Sequence, residues 1–304
     1  MKTSSASRSL EAYLSDARAR VDTVLERWGG RADALWRAPV PAAVRYSLLS
    51  TGKRLRPTLV FACSEAVGVP GAGVAELAAA VEVVHAYSLV HDDLPCMDND
   101  DLRRGRPTTH RAFDVATATR AGFQMVALAA RVLADGLVAL DAEPKRRRAI
   151  ALELFRAAGA GGMIGGQELD LEAEGARVPV AQLEEIHRRK TGALIATACV
   201  IGGLAAGAPA AACAALRGYG EDLGLAFQIY DDVLDATATS DQLGKTAGRD
   251  AALAKSTFVT LLGVGAARAE AERLAARAVD RLRRAGLASP TLVELAHYVV
   301  TRPN

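Results

Sequence analysis

The run Val81-Glu82-Val83-Val84-His85-Ala86-Tyr87-Ser88-Leu89-Val90-His91-Asp92-Asp93-Leu94-Pro95-Cys96-Met97-Asp98-Asn99-Asp100-Asp101 decides how this chain is read. Its first half, Val81 to Val90, is apolar and extends a helical stretch that begins at Val74. Pro95 fits poorly inside a helix, so the helix is expected to end or kink there. Five carboxylates then fall within ten residues, and they repel one another unless a cation neutralises them. A solvated acidic loop is the ordinary fate of such a run. An EF-hand loop fails on spacing: counting from Asp98, the fifth position is Leu102 and the sixth is Arg103, where glycine is needed.

A second acidic cluster changes the balance. Gln228, Asp231, Asp232 and Asp235 fall at i, i+3, i+4 and i+7 near the end of another apolar helix, which puts them on one face. Two separated aspartate clusters at the ends of hydrophobic helices make a poor surface and a good hard-metal site. Carboxylates without Cys or His at ligand spacing point to Mg²⁺, which keeps waters and shares its ligands with phosphates. Phosphate partners are present: Gly52-Lys53-Arg54-Leu55-Arg56-Pro57, Arg103, Arg104 and Arg106, Lys190-Thr191, Lys245 and Lys255. Pro57 suits the first turn of a helix. Any one basic patch alone is ordinarily solvated surface; acid and base clusters in alternation suit a Mg²⁺–diphosphate ligand. Two diphosphate esters carry roughly six negative charges together, which fits three divalent ions aided by Lys and Arg.

The remainder of the chain sets the frame. Leu10, Leu14, Ala17, Val21, Val24, Leu25 and Trp28 recur at three- and four-residue steps. Helices are also expected over 44–49, 74–94, 121–140, 146–158, 180–204, 210–235, 253–285 and 292–300. Sustained period-two alternation is missing, so strands are not expected. Half of the 304 residues are hydrophobic but only 5% are aromatic, a mix that favours close-packed helices over a β-sandwich. No long linker divides the chain, and one all-α domain over 1–304, a large antiparallel bundle, is the economical expectation. The net charge of +2 gives no support to nucleic-acid or membrane-surface binding. Cys63, Cys96, Cys199 and Cys213 form no C-x-x-C pair and read as reduced thiols of a cytoplasmic protein. The N-terminal residues lack the apolar core of a signal peptide. Thr191 to Leu216 is uncharged, but its Ala and Gly content suits a buried helix ending near Gly202-Gly203 better than a membrane span.

Glu82 to Pro107 closely resembles the first aspartate-rich motif of the trans-polyprenyl diphosphate synthases, and Asp231-Asp232-Val233-Leu234-Asp235 resembles the second. The likeness extends over almost the whole chain through Gly52-Lys53-Arg54-Leu55-Arg56-Pro57, Gly165-Gly166-Gln167-Glu168-Leu169-Asp170, Lys190-Thr191-Gly192 and Lys255-Ser256-Thr257-Phe258. Four residues between Asp93 and Asp98 resemble the bacterial farnesyl and plant-type geranylgeranyl enzymes. The resemblance implies the isoprenoid synthase fold around a central cavity, a homodimer, and condensation of isopentenyl diphosphate with an allylic diphosphate. It implies that Asp92 and Asp98 hold two Mg²⁺ ions and Asp231 the third, with Asp93, Asp232 and Asp235 in support. Arg103, Lys190, Lys245 and Lys255 would clamp the allylic diphosphate, with Gln228 and Thr191 nearby. Lys53, Arg56, His85 and Arg104 would bind isopentenyl diphosphate. His85 lies seven residues before Asp92, so on nearly the same face; His91 gains no such support. Gln167 and Asp170 suit either the pocket wall or helix–helix hydrogen bonding.

Product length in such enzymes depends on side chains below the first motif, here Tyr87 and Ser88. Ideal geometry sets Ser88 about 40° from Asp92 but Tyr87 about 140° away, so Tyr87 as the floor rests on resemblance. An aromatic there implies farnesyl diphosphate as product, with a geranylgeranyl synthase as the alternative. The chain ends Val299-Val300-Thr301-Arg302-Pro303-Asn304, where related bacterial enzymes often end in Arg followed by a basic residue, so a C-terminal clamp is not supported. A class I terpene cyclase should lack the isopentenyl-binding cations and the second Asp-Asp-x-x-Asp. A non-catalytic subunit of a heteromeric synthase could lose its aspartate clusters without penalty, and this chain keeps both.

Overall fold

In the computed structural model, residues 9–237 and 256–302 are described. The helices are α1 (Leu10–Gly30), α2 (Ala32–Leu35), α3 (Val40–Leu48), α4 (Leu55–Val67), α5 (Val74–Asp92), α6 (Thr109–Ala112), α7 (Val115–Ala139), α8 (Pro144–Ala158) and α9 (Met163–Glu172). Then come α10 (Val180–His187), a π-helical turn (Arg188–Gly192), α11 (Ala193–Ala205) and α12 (Ala210–Thr237). The last three are α13 (Phe258–Leu262), α14 (Val264–Arg284) and α15 (Pro290–Val299). The all-α expectation holds, with one exception: β1 (Leu102–Arg103) and β2 (Arg106–Pro107) form a minimal antiparallel hairpin. Its turn is Arg104-Gly105, both at positive φ (55° and 74°), as a two-residue hairpin requires.

Surface and core helices follow different patterns. Ser9 caps α1 by accepting from the Ala12 amide, and Tyr13, Ala17, Val21, Val24, Leu25 and Trp28 form its buried stripe. On α14, Ala267, Ala271, Leu274, Ala275, Ala278 and Leu282 are buried while Arg281, Arg283 and Arg284 close its last turn. By contrast, α5 and α11 are buried nearly all round, so they show little amphipathic period. α5 packs on α7, α4, α1 and α3; α11 packs on α4, α12 and α8. These two helices are the centre of the molecule, and α5 carries the first aspartate cluster at its C-terminal end.

Several boundaries differ from expectation. Pro57 marks the start of α4 but no period shows its extent, because Leu55 to Ser64 is buried nearly all round, and α9 gives no helical signal because Gly165-Gly166 disfavours helix locally. The 180–204 stretch is interrupted by the π turn. The 253–285 stretch divides at Gly263 (φ 84°) between α13 and α14. As expected, α5 ends before Pro95, with Asp93 as its C-cap. Two helices, Val74–Asp92 and Val115–Ala139, are long and apolar enough to cross a bilayer, but they pack against each other within the bundle. The uncharged 191–216 stretch instead supplies the buried α11, which runs slightly past the double glycine.

Candidate active site

A cavity of about 1130 Å³ opens between α5, α9, α12, the π turn and the loop before α4. Lys53, Arg56, His85, Tyr87, Ser88, Asp92, Asp98, Arg103, Arg104, Lys190, Thr191, Gln228 and Asp231 all line it. Residues scattered from 53 to 231 in sequence are thus brought to one space.

The carboxylate side is built by the chain folding back after α5. Met97 and Asn99 amides donate to the Leu94 carbonyl, Asn99 sits at φ 50°, and the Asp98 amide donates to the Asp92 carbonyl at 2.8 Å. Asp92 and Asp98 therefore face the cavity together. Burial pushes the Asp92 carboxyl up to about 7; Lys190 opposes this, while Asp98 and Asp93 add to it. Asp93 is different: it is buried, and its Oδ1 accepts from Arg103 Nε at 3.0 Å. Arg103 also reaches Asp100 at 3.2 Å, so it fastens the acidic loop to the hairpin while lining the cavity.

Across the cavity, Lys190 Nζ donates to Asp170 Oδ2 at 2.6 Å and Thr191 Oγ1 to Gln228 Oε1 at 3.0 Å. The π turn shifts Lys190 and Thr191 relative to a regular helix. Gly166 makes room for it: a Cβ there would lie 2.1 Å from the Lys190 amide nitrogen. Of the second cluster, Gln228 and Asp231 line the cavity, whereas Asp232 and Asp235 are buried outside its lining. The single shared face expected from spacing is thus divided. Asp232 accepts from the Phe258 amide at 2.9 Å and so caps α13, with His187 3.8 Å away. Lys245 and Lys255 lie outside the described residues.

The cationic side is built around Arg54. Its left-handed backbone (φ 49°) turns the side chain inward, where Nη1 donates to buried Glu82 at 2.8 Å and Nε to Asp22 at 2.9 Å. Lys53 and Arg56, on either side, are left facing the cavity. Burial lowers the Lys53 ammonium, as do Arg302 and Arg104; burial lowers the Arg56 guanidinium to about 10, and Arg56 Nε finds no hydrogen-bond partner. Burial and the facing Arg56, Arg104, Arg103 and Arg54 hold His85 well below the usual imidazole range. Arg104, also lowered by burial, donates from Nη1 to the Thr51 carbonyl at 2.6 Å.

Sequence reasoning undervalued Arg302. Its fully buried guanidinium pairs with Asp231 at 2.5 Å and lies over the Phe227 ring at 4.1 Å. A lone arginine after an apolar helix gave no signal of this. Gln167 joins the cavity wall, its Nε2 3.5 Å from Asp98 and its buried Oε1 without a partner; Asp170 serves helix packing through Lys190.

The donor set fits Mg²⁺. All candidate ligands are carboxylate oxygens, and the uncompensated burial of Asp92 beside Asp98 is relieved by a cation. Asp92 and Asp98 would hold such an ion, with waters and phosphate oxygens completing its shell.

The polyprenyl synthetase family model matches residues 38–285, and the chain belongs to that family. Farnesyl diphosphate synthase of Escherichia coli (strain K12) is 45% identical over 268 residues, 87% of this chain and 89% of that one. Geranylgeranyl pyrophosphate synthase 9, chloroplastic, of Arabidopsis thaliana is 42% identical over 273 residues, 87% of this chain and 74% of that protein. Among solved structures, geranyltransferase from Helicobacter pylori, complexed with magnesium and isoprenyl diphosphate, has a TM-score of 0.81 at 29% identity. The match covers 97% of this chain and 98% of that one.

Proposed function

We propose that this chain is a prenyltransferase that condenses isopentenyl diphosphate with dimethylallyl or geranyl diphosphate, giving farnesyl diphosphate and releasing diphosphate. One observation carries this reading: a single cavity gathers two sets of groups, the basic set Lys53, Arg56, His85 and Arg104 and the aspartates Asp92, Asp98 and Asp231. Lys53, Arg56, His85 and Arg104 are all pushed toward their neutral forms, and Asp92 is pushed toward its protonated form. A metal-free diphosphate relieves the first set and a metal-bound diphosphate the second.

The roles follow from that division. Asp92, Asp98 and Asp231 would hold Mg²⁺, three ions when substrate is bound, with Asp235 buried behind Asp231 rather than at the ions. When bound there, Mg²⁺ would supply charge stabilisation of diphosphate as the leaving group of the allylic substrate. Arg103 and Lys190 hold the same diphosphate, with Thr191 and Gln228 beside them and Lys245 and Lys255 completing the clamp. Lys53, Arg56, His85 and Arg104 orient isopentenyl diphosphate so that its double bond meets the allylic cation. The proton lost afterwards goes to the departing diphosphate. Met163, Leu171, Phe227 and Leu234 in the cavity wall exclude water, which would otherwise quench the cation to an alcohol. Tyr87, with Ser88, closes the tail channel at fifteen carbons.

The chain works as a single polyprenyl synthase domain over 1–304, in the cytoplasm and as a homodimer. The dimer reading is supported by α7, where Phe123, Ala127, Ala130, Ala134 and Val138 form an exposed apolar stripe at helical spacing. The test is product analysis of the purified chain with Mg²⁺, geranyl diphosphate and labelled isopentenyl diphosphate. Farnesyl diphosphate as main product is expected. Geranylgeranyl diphosphate in its place corrects the chain length, and no turnover by the pure chain favours a non-catalytic subunit. Tyr87→Ala is expected to give longer products with geranylgeranyl diphosphate detectable; an unchanged distribution contradicts Tyr87 as floor.

A further inference from the structure

Tyr87 and His91 lie one turn apart on α5, and both line the cavity. Their rings meet edge to face, with centroids 5.3 Å apart. His91 meets Phe123 of α7 in the same way at 5.2 Å. The three rings form a row from the cavity to the outer surface of α7, where Phe123 is 65% exposed. His91 is further held by its Nε2, which lies 3.1 Å from the Thr119 carbonyl. A carbonyl only accepts, so in this arrangement Nε2 carries the proton. The gap that admits the ring exists because residue 122 is glycine: a Cβ there would stand 2.0 Å from His91 Nε2.

These contacts bear on how Tyr87 can act as a floor. A tyrosine ring on a cavity wall can rotate aside as a growing chain presses on it, unless something rigid stands behind. His91 is that backing. Its ring cannot withdraw without losing the Thr119 hydrogen bond and the Phe123 contact together. We infer that His91 is a specificity-determining positioning residue: wedged between Gly122 and Phe123 of α7, it holds the Tyr87 ring across the tail channel and so fixes where chain growth stops. The inference rests on Tyr87 being the floor. It assigns part of the chain-length determinant to α7, a helix that carries none of the motif aspartates.

The experiment compares product lengths from the full chain and its Tyr87→Ala, His91→Ala, Phe123→Ala and Tyr87→Ala/His91→Ala variants, with Mg²⁺, geranyl diphosphate and isopentenyl diphosphate. Product ratios are normalised to total turnover, so a general loss of activity does not mimic the effect. His91→Ala and Phe123→Ala are each expected to raise the twenty- to fifteen-carbon product ratio at least threefold. The double variant should go no further than Tyr87→Ala alone, because His91 acts through Tyr87. If Tyr87→Ala lengthens the product while His91→Ala and Phe123→Ala match the parent, the relay is refuted and the floor stands. If Tyr87→Ala changes nothing, the floor falls and the relay with it. Should His91→Ala prove inactive because Asp92 is adjacent, Phe123→Leu, which keeps the apolar stripe of α7 but removes the ring, decides alone: lengthening supports the relay and the parental ratio refutes it.

Discussion

Arg54 turns into the core from the same loop that carries Lys53 to the cavity, and there it neutralises Glu82, whose side chain is 2% exposed. Removing one partner of such a pair leaves a buried charge uncompensated, which costs about 3–5 kcal/mol. Arg54→Met is therefore expected to lower unfolding free energy in urea by that order, whereas Arg56→Met should cost far less stability and mainly raise KM for isopentenyl diphosphate. His85 supplies a second prediction. Its folded-state pKa is depressed, so below about pH 6.5 the unfolded chain takes a proton that the native ring refuses. Stability linked to His85 is complete above that pH and is lost as pH falls. Thermal melts from pH 7 to 5 should show a shallower decline for His85→Gln than for the parent; parallel declines would contradict a neutral buried His85. At this scale, the resemblance picked out Lys53, Arg56, Asp92 and Asp231, whereas residue type and spacing announced only the basic run and the aspartate clusters. They could not separate Arg54 from its neighbours, because the difference is one left-handed backbone angle. Nor could they show Arg302 reaching Asp231, which depends on where α15 ends.

Among the elements, the π turn at Arg188–Gly192 and α9 depend on each other. Their backbones approach so closely at Gly166 that a methyl group has no space, and this contact sets the position of both Lys190 and Thr191. Gly166→Ala should cost about 1–3 kcal/mol through overpacking. It should also lower kcat/KM for the allylic diphosphate at least tenfold while helical content by circular dichroism stays near the parent's. Unchanged kinetics would show that the turn does not place those groups. Long amphipathic helices such as α1 and α14 were legible from period alone. α4, α9 and the hairpin were not: all-round burial erases the period in α4, and tertiary contact overrides glycine propensity in α9. The i, i+3, i+4, i+7 pattern placed the second cluster on one helix face, but a helix face is wide enough for Asp231 to meet the cavity while Asp232 caps α13.

At the scale of the molecule, a net charge of +2 conceals clusters of both signs gathered on one cavity. Carboxylates at the ends of α5 and α12 line it together with cations from the loop before α4 and from the hairpin. The Ala-rich, aromatic-poor composition serves this arrangement, since close packing of α5 on α4 and α7 brings its C-terminal end to the cavity. The central claim is that the two sets of groups bind two diphosphates by different means, one through metal and one directly. Calorimetric titration of the purified chain with isopentenyl diphosphate, and separately with a non-ionising thiol analogue of geranyl diphosphate, each with Mg²⁺ and with EDTA, measures this. Isopentenyl diphosphate is predicted to bind with similar affinity in both conditions, and the allylic analogue to weaken at least a hundredfold when metal is removed. Equal dependence of both ligands on Mg²⁺, or of neither, would contradict the division.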